Sequence, residues 1–149
     1  MKKNKFPIQI VALLLLFVVM AFNKTQTEPW RPDQLMTPKD LATIINSSTE
    51  VKPLIISVGP AGLIKDAINI GPANDKENLK KLKELLSKEK KDKEIVIYCG
   101  CCPFKNCPNI RPAFSLLNSM KFTQHKLLDL PHNLKADWIN YDYPMTSAN

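Results

Sequence analysis

The sequence predicts an α/β fold, with a central, mainly parallel sheet flanked by helices. Three observations point there. Short apolar runs bounded by Gly and Pro alternate with longer stretches whose apolar residues recur at helical spacing. The runs at 54–58 (LIISV) and 94–98 (EIVIY) lack the polar alternation of half-exposed strands, as strands buried on both faces do. The length of 149 residues suits one core. With 44% hydrophobic and 23% charged residues, the composition argues against a disordered, collagenous or multi-span membrane protein. Two Trp and six Phe are too few for the aromatic platform of a stacking RNA binder.

The first residues stand apart from that domain. Lys2, Lys3 and Lys5 precede an almost unbroken apolar run at 8–22 (IQIVALLLLFVVMAF). A basic start followed by about 15 apolar residues has the form of a secretory signal, and is short for a span of about 20. Val19 and Ala21 fit the −3 and −1 positions of a cleavage site, and no Cys follows to take a lipid. Residues 1–22 therefore read as a signal peptide or an N-terminal anchor. The expected location is periplasmic or secreted, with membrane contact only through this segment if it is uncleaved. Setting aside the three lysines lowers the net charge from +7 to +4. Much of the remaining charge lies at 76–93, where Lys and Glu intersperse as on a solvated helix face. Nucleic-acid binding is not expected.

Residues 23–35 are polar and Pro-containing and read as a linker to a domain at 36–147. Thr37 can cap a helix, with Pro38 at its first position and Asp40 where a capping-box acid sits. Leu41, Ile44 and Ile45 form its apolar face, and residues 47–52 end it. The strand at 54–58 is broken by Gly59-Pro60-Ala61-Gly62. A second strand is expected at 67–70, before Gly71-Pro72. Asn74 then caps an amphipathic helix running to Lys90, with Glu77 closing the box and Leu79, Leu82, Leu85 and Leu86 as the buried stripe. The strand at 94–98 runs into a cysteine-rich segment, CGCCPFKNCPNIRP. Ala113, Leu116, Leu117 and Met120 mark another helix, and 126–130 (KLLDL) a fourth strand. Trp138 and Tyr143-Pro144 are expected to pack the last helix and the tail onto the sheet, with no catalytic role.

All four cysteines, Cys99, Cys101, Cys102 and Cys107, lie between a predicted buried strand and a predicted helix. Ligands of open parallel sheets bind beyond the carboxyl ends of the strands. Loop N–H groups and a helix N-terminus there favour a thiolate or an anion. Arg111 and Lys105 can add positive charge. Two other readings stand beside an activated cysteine. An exported chain with an even cysteine count commonly holds structural disulfides, although these four could close only small local loops. The same thiolates could bind a soft ion such as copper or zinc, although C-x-C-C-x4-C is not a paired C-x-x-C zinc pattern. His125 and His132 lie well downstream and are not proposed as ligands. The C-x-x-C of Cys99 and Cys102 also has the thioredoxin placement, but only 47 residues follow Cys102, too few for the rest of that fold.

Taken in order, EIVIYC at a strand end, a loop opening a helix, KLLDL, Trp138 and Tyr143-Pro144 resemble the C-terminal half of a rhodanese-like domain. LIISV and IKDAINIG resemble that family's first core strand and its "HIPGAINI" segment, so the likeness runs from about Met36 to Met145. It implies a rhodanese-like fold in which Cys99 is the nucleophile, taking a sulfane sulfur as a persulfide and passing it to a thiophilic acceptor. Departures are visible too. Ser57 and Gly59 stand where the family carries Asp and Arg, and Ile64 or a neighbour replaces its His. The loop is longer, and Arg111 lies twelve positions after Cys99.

The expected function is accordingly sulfurtransfer or related thiol redox chemistry. Cys99 is the first nucleophile, Cys102 the resolving partner through C-x-x-C spacing, and Arg111 the anion binder; Cys101 and Cys107 are additional thiols. No cofactor is called for, and the expected partners are a small sulfur-donor anion and a thiol acceptor. A soft-metal module using all four cysteines, and a disulfide-locked scaffold without catalysis, are the alternatives.

Overall fold

The strand richest in apolar residues takes the centre of the sheet. β4 (Ile95–Tyr98) is buried along its whole length in the computed structural model, which describes residues 28–147. The segment at 1–22, expected from the sequence to be a signal peptide or anchor, lies outside the described residues. β4 pairs in parallel with β2 (Leu54–Ser57) on one side and β5 (His125–Leu128) on the other. β1 (Leu35–Met36) covers the free edge of β5, and β3 (Ile68–Asn69) that of β2. The order is β1-β5-β4-β2-β3, and every pair is parallel. The mainly parallel sheet expected from the apolar runs is thus present.

Alternation along the strands sends side chains to two cores. Ile55, Val96, Tyr98 and Leu128 face α1 (Pro38–Asn46) and α4 (Leu134–Asp137), where Leu41, Ile45, Leu134 and Trp138 pack. Ile56, Ile95, Ile97 and Leu127 face α2 (Lys76–Leu86) and α3 (Ile110–Ser119), where Leu82, Leu86, Phe114 and Leu117 pack. Parallel neighbours require crossovers, so helices cover both faces and the strands can be apolar throughout. Each fully buried Leu or Ile contributes roughly 1.5–3 kcal/mol.

Several element boundaries differ from expectation, for local reasons. The cap of α2 is Asp75 rather than Asn74: its carboxylate accepts from the N–H groups of Glu77 and Asn78. The Asn74 N–H is instead committed to Asn109 Oδ1 at 3.1 Å. α2 ends at Leu86, four residues before Lys90, because the apolar stripe stops there and only charged or small polar residues follow. The strand expected at 67–70 contracts to the two exposed residues of β3. Thr37 caps α1 as expected, accepting from the Asp40 N–H at 3.1 Å.

The larger difference is at the front of the domain. Trp30 and Gln34, assigned to a linker from the sequence, are buried, and Leu35 belongs to β1. The Trp30 ring centroid lies 5.8 Å from that of Phe104 and 5.9 Å from that of Phe114. Asn118 Nδ2 donates to the Pro29 carbonyl at 2.8 Å, and Gln34 Nε2 to the His125 carbonyl at 3.3 Å. Residues 28–34 therefore form a strap over α3 and β5. At the other end, Trp138 and Tyr143 pack the tail as expected, with ring centroids 5.2 Å apart and Trp138 Nε1 donating to the Pro144 carbonyl at 3.2 Å. Among the described residues, no helix is long and apolar enough to cross a membrane.

Leu82 is fully buried while Lys80, on the same helix, is exposed. We predict that Leu82→Ala costs about 2–5 kcal/mol in urea unfolding. Lys80→Ala changes stability by less than about 0.5 kcal/mol. Equal effects would contradict this assignment of the α2 faces.

Candidate active site

The flush register of the two central strands builds the site. Ser57 lies opposite Tyr98, and the Val58 N–H donates to the Tyr98 carbonyl at 2.8 Å. Gly59 and Cys99 consequently leave the carboxyl edge of the sheet side by side. A Cβ on Gly59 would stand 2.3 Å from Cys99 Sγ and 2.6 Å from its carbonyl oxygen. In this structure any side chain at 59 would collide with both the sulfur and the backbone of Cys99.

The chain beyond Cys99 turns on Gly100, whose φ of +79° is readily adopted by glycine. That turn brings Cys101 back toward the strand end, with its Sγ 3.2 Å from Cys99 Sγ. Cys102 Sγ lies 3.3 Å from Cys101 Sγ. A short 3-10 turn, Phe104–Asn106, follows Pro103 and ends at Cys107. Phe104 anchors the turn: its ring is buried against Trp30, and its N–H donates to the Leu130 carbonyl at 3.2 Å. Cys107 is thereby returned beneath Cys99. The sulfurs of Cys99, Cys101 and Cys107 all lie within 4.8 Å of one another. Cys99 and Cys107 are buried, Cys101 is exposed and Cys102 half-buried; all four are free thiols.

Asn109, which sequence reasoning did not single out, completes the arrangement. It stands at the N-cap of α3, yet its side chain makes no capping bond. Its Oδ1 accepts from the Asn74 N–H at 3.1 Å, which orients the amide so that Nδ2 donates to Cys99 Sγ at 3.3 Å. An Asn at a helix start reads as a cap, so the sequence carries no signal for this second use.

These donors determine the charge on the site. The Cys99 thiol is lowered to about 5, chiefly by the Cys107 S–H donating to its sulfur. The Cys101 N–H, Asn109 and the Cys101 thiol act in the same direction, and burial opposes them. Cys107 is pushed up, foremost because its proton is held by Cys99. Cys101 is raised to about 12, with burial the leading cause, followed by its contacts with Cys99 and Cys102. At neutral pH Cys99 is therefore a thiolate beside the protonated Cys101 and Cys107.

The residues singled out from the sequence do not all meet in space. Cys99 is where it was expected, at the end of a buried strand. Cys101 Sγ is in contact with Cys99 Sγ, while Cys102 meets Cys101. C-x-x-C spacing favours Cys102 only if the intervening residues form a helical turn, and Gly100 turns the chain the other way. Arg111, put forward as the anion binder, is engaged elsewhere. Its Nη2 donates to both Glu28 oxygens at 2.7 and 2.8 Å, and its guanidinium lies 5.5 Å from the Trp30 ring centroid. Lys105 lies over the Phe104 ring at 5.8 Å. Neither cation is among the groups that hold the Cys99 thiolate. For a soft metal ion, Cys99, Cys101 and Cys107 supply three converging sulfurs, and Cys102 stands outside that set.

No protein-family model matches the chain, and no curated protein matches it.

Two measurements check this geometry. Thiolate absorbance at 240 nm should rise for one thiol with a midpoint near pH 5. Cys107→Ala should raise that midpoint most and Asn109→Ala less, in the order of the donors removed; midpoints unmoved by either variant would contradict the arrangement. Gly59→Ala should lower stability by about 1–3 kcal/mol, the range for overpacking a filled site. It should also move the Cys99 midpoint, because the added methyl occupies the space of the sulfur.

Proposed function

We propose that this chain is an exported rhodanese-like protein that transfers sulfur through a persulfide on Cys99. The observation that carries the reading is Cys99 at the carboxyl end of the central strand, its thiol lowered by hydrogen bonds from Cys107, Cys101 and Asn109. That is the position at which the family resemblance places the nucleophile. The export component rests on the Lys-then-apolar start of the sequence.

The chemistry needs a sulfur nucleophile that is ionised at ambient pH without being buried beyond use. Cys99 thiolate attacks the outer sulfur of a donor such as thiosulfate. The donor S–S bond breaks, sulfite leaves with the bonding pair, and Cys99 carries a persulfide anion. The N–H of Cys101 and the Asn109 amide, which held the thiolate, remain beside the sulfur through the transfer. Preorganised donors of this kind stabilise charge without reorganising during the reaction. An acceptor thiolate then takes the outer sulfur and restores the Cys99 thiolate. Cys99 is 2% exposed, with Cys101 Sγ 3.2 Å from its sulfur, so a donor reaches it only when neighbouring side chains move. A small donor suits such an entrance.

Treating the reduced protein with thiosulfate should add about 32 Da, the mass of one sulfur, to Cys99 in at least a transient fraction of chains. Cys99→Ser should abolish the addition and lower sulfurtransfer by at least about 1000-fold, as loss of a covalent nucleophile does. Undiminished transfer in Cys99→Ser would remove Cys99 from the mechanism and overturn the reading.

A further inference from the structure

We infer that Cys101 is a resolving thiol that converts the Cys99 persulfide into a Cys99–Cys101 disulfide and releases the transferred sulfur as hydrosulfide. The inference rests on the persulfide reading above and specifies the fate of the sulfur. It makes the site a reductase of sulfane sulfur as well as a carrier.

The argument begins with the atom under attack. The inner sulfur of the persulfide is Cys99 Sγ itself, whose surroundings are in view. Cys101 Sγ already stands 3.2 Å from it. A disulfide bond is about 2.05 Å long, so closure needs a movement of about 1.2 Å. The backbone is set for that approach by the positive φ of Gly100, which folds residues 99 and 101 toward each other. The turn is also held in place. The Gly100 carbonyl accepts from the Leu134 N–H at 2.9 Å, and a Cβ at 100 would meet Leu134 Cβ at 2.9 Å and Ala61 Cβ at 3.0 Å.

The other two thiols fit the role less well. Cys107 is fully buried, and its proton is committed to Cys99, so a bridge there would be closed to an external reductant. Cys102 has its sulfur contact with Cys101. Cys101 alone is both in contact with the nucleophile and exposed.

The step balances. Cys101–SH and Cys99–S–S⁻ give the Cys99–Cys101 disulfide and HS⁻. The new bond joins Cys101 Sγ to Cys99 Sγ; the bond to the outer sulfur breaks, and that sulfur leaves with the electron pair and the Cys101 proton. With thiosulfate as donor, the two thiols are oxidised by two electrons, the sulfane sulfur is reduced to hydrosulfide, and sulfite is the co-product. A dithiol reductant then restores the pair by exchange at the exposed Cys101 sulfur.

The test uses the full reduced chain, thiosulfate and no other thiol. Wild type should release one hydrosulfide per chain and lose two thiols. Fragmentation of the peptide holding Cys99, Cys101 and Cys102 should then split the backbone between Cys101 and Cys102 but not between Cys99 and Cys101. Cys101→Ser should take up sulfur and keep it as a persulfide, with hydrosulfide release at least tenfold lower. Persulfide on that variant also shows that the site remains folded. Hydrosulfide release by Cys101→Ser at the wild-type rate, a bridge located elsewhere, or a lasting wild-type persulfide would each overturn the inference and leave sulfur transfer standing. Absence of sulfur uptake by both proteins would overturn the persulfide reading itself.

Discussion

The close approach of Gly59 to Cys99 is the constraint on which the site depends. It follows from two strands, β2 and β4, buried on both faces and paired in a register that ends them level. Their apolar side chains secure that register, because a one-residue slip would turn each strand's two sets of side chains toward the wrong cores. Once the strands end level, the backbone of one occupies the space beside the side chain of the other. In this structure only a residue without Cβ fits there, and Gly59 provides it. Core packing thus decides how deep Cys99 sits.

The charge on the Cys99 sulfur is managed without a neighbouring cation. Many activated cysteines lie beside Lys, Arg or protonated His. Here the nearby guanidinium is spoken for by Glu28 and Trp30, and the thiolate relies on an S–H, an amide side chain and a backbone N–H. Hydrogen bonds to the charged form lower a thiol as surely as a positive charge does. They also leave the immediate surroundings of the sulfur electrically modest. The strap that occupies Arg111 simultaneously packs Trp30 on Phe104, so the anchor of the cysteine loop and the sequestering of the arginine belong to one structure.

Much of the fold was legible before any coordinates. Runs such as IVIY and the leucine stripe of α2 declare their burial, and Thr37 declares a helix start. Failures came where a short polar residue had more than one local partner. Asn74 and Asp75 both can cap, and it is the Asp75 carboxylate that accepts from the helix N–H groups, while the Asn74 N–H goes to Asn109, distant in sequence. Residues 28–34 looked like a linker because their polar and Pro-rich composition hides two residues, Trp30 and Gln34, that bury against Phe104, Phe114 and His125, far along the chain. β1 and β3, with two residues each, carry too little periodicity to be read.

By itself, the sequence determined the parallel α/β class, the alternation of buried strands with amphipathic helices, and the cysteine at the end of a buried strand. These are set by residue type and local spacing, which act over a few positions. Which thiol touches Cys99, which amide orients toward it and which acid holds Arg111 were decided only by the tertiary structure. Those contacts join residues 99 with 109, 74 with 109 and 28 with 111, through a left-handed turn and an anchored loop. Spacing along the chain lists which partners are near; the direction in which Gly100 and Phe104 turn the backbone selects among them.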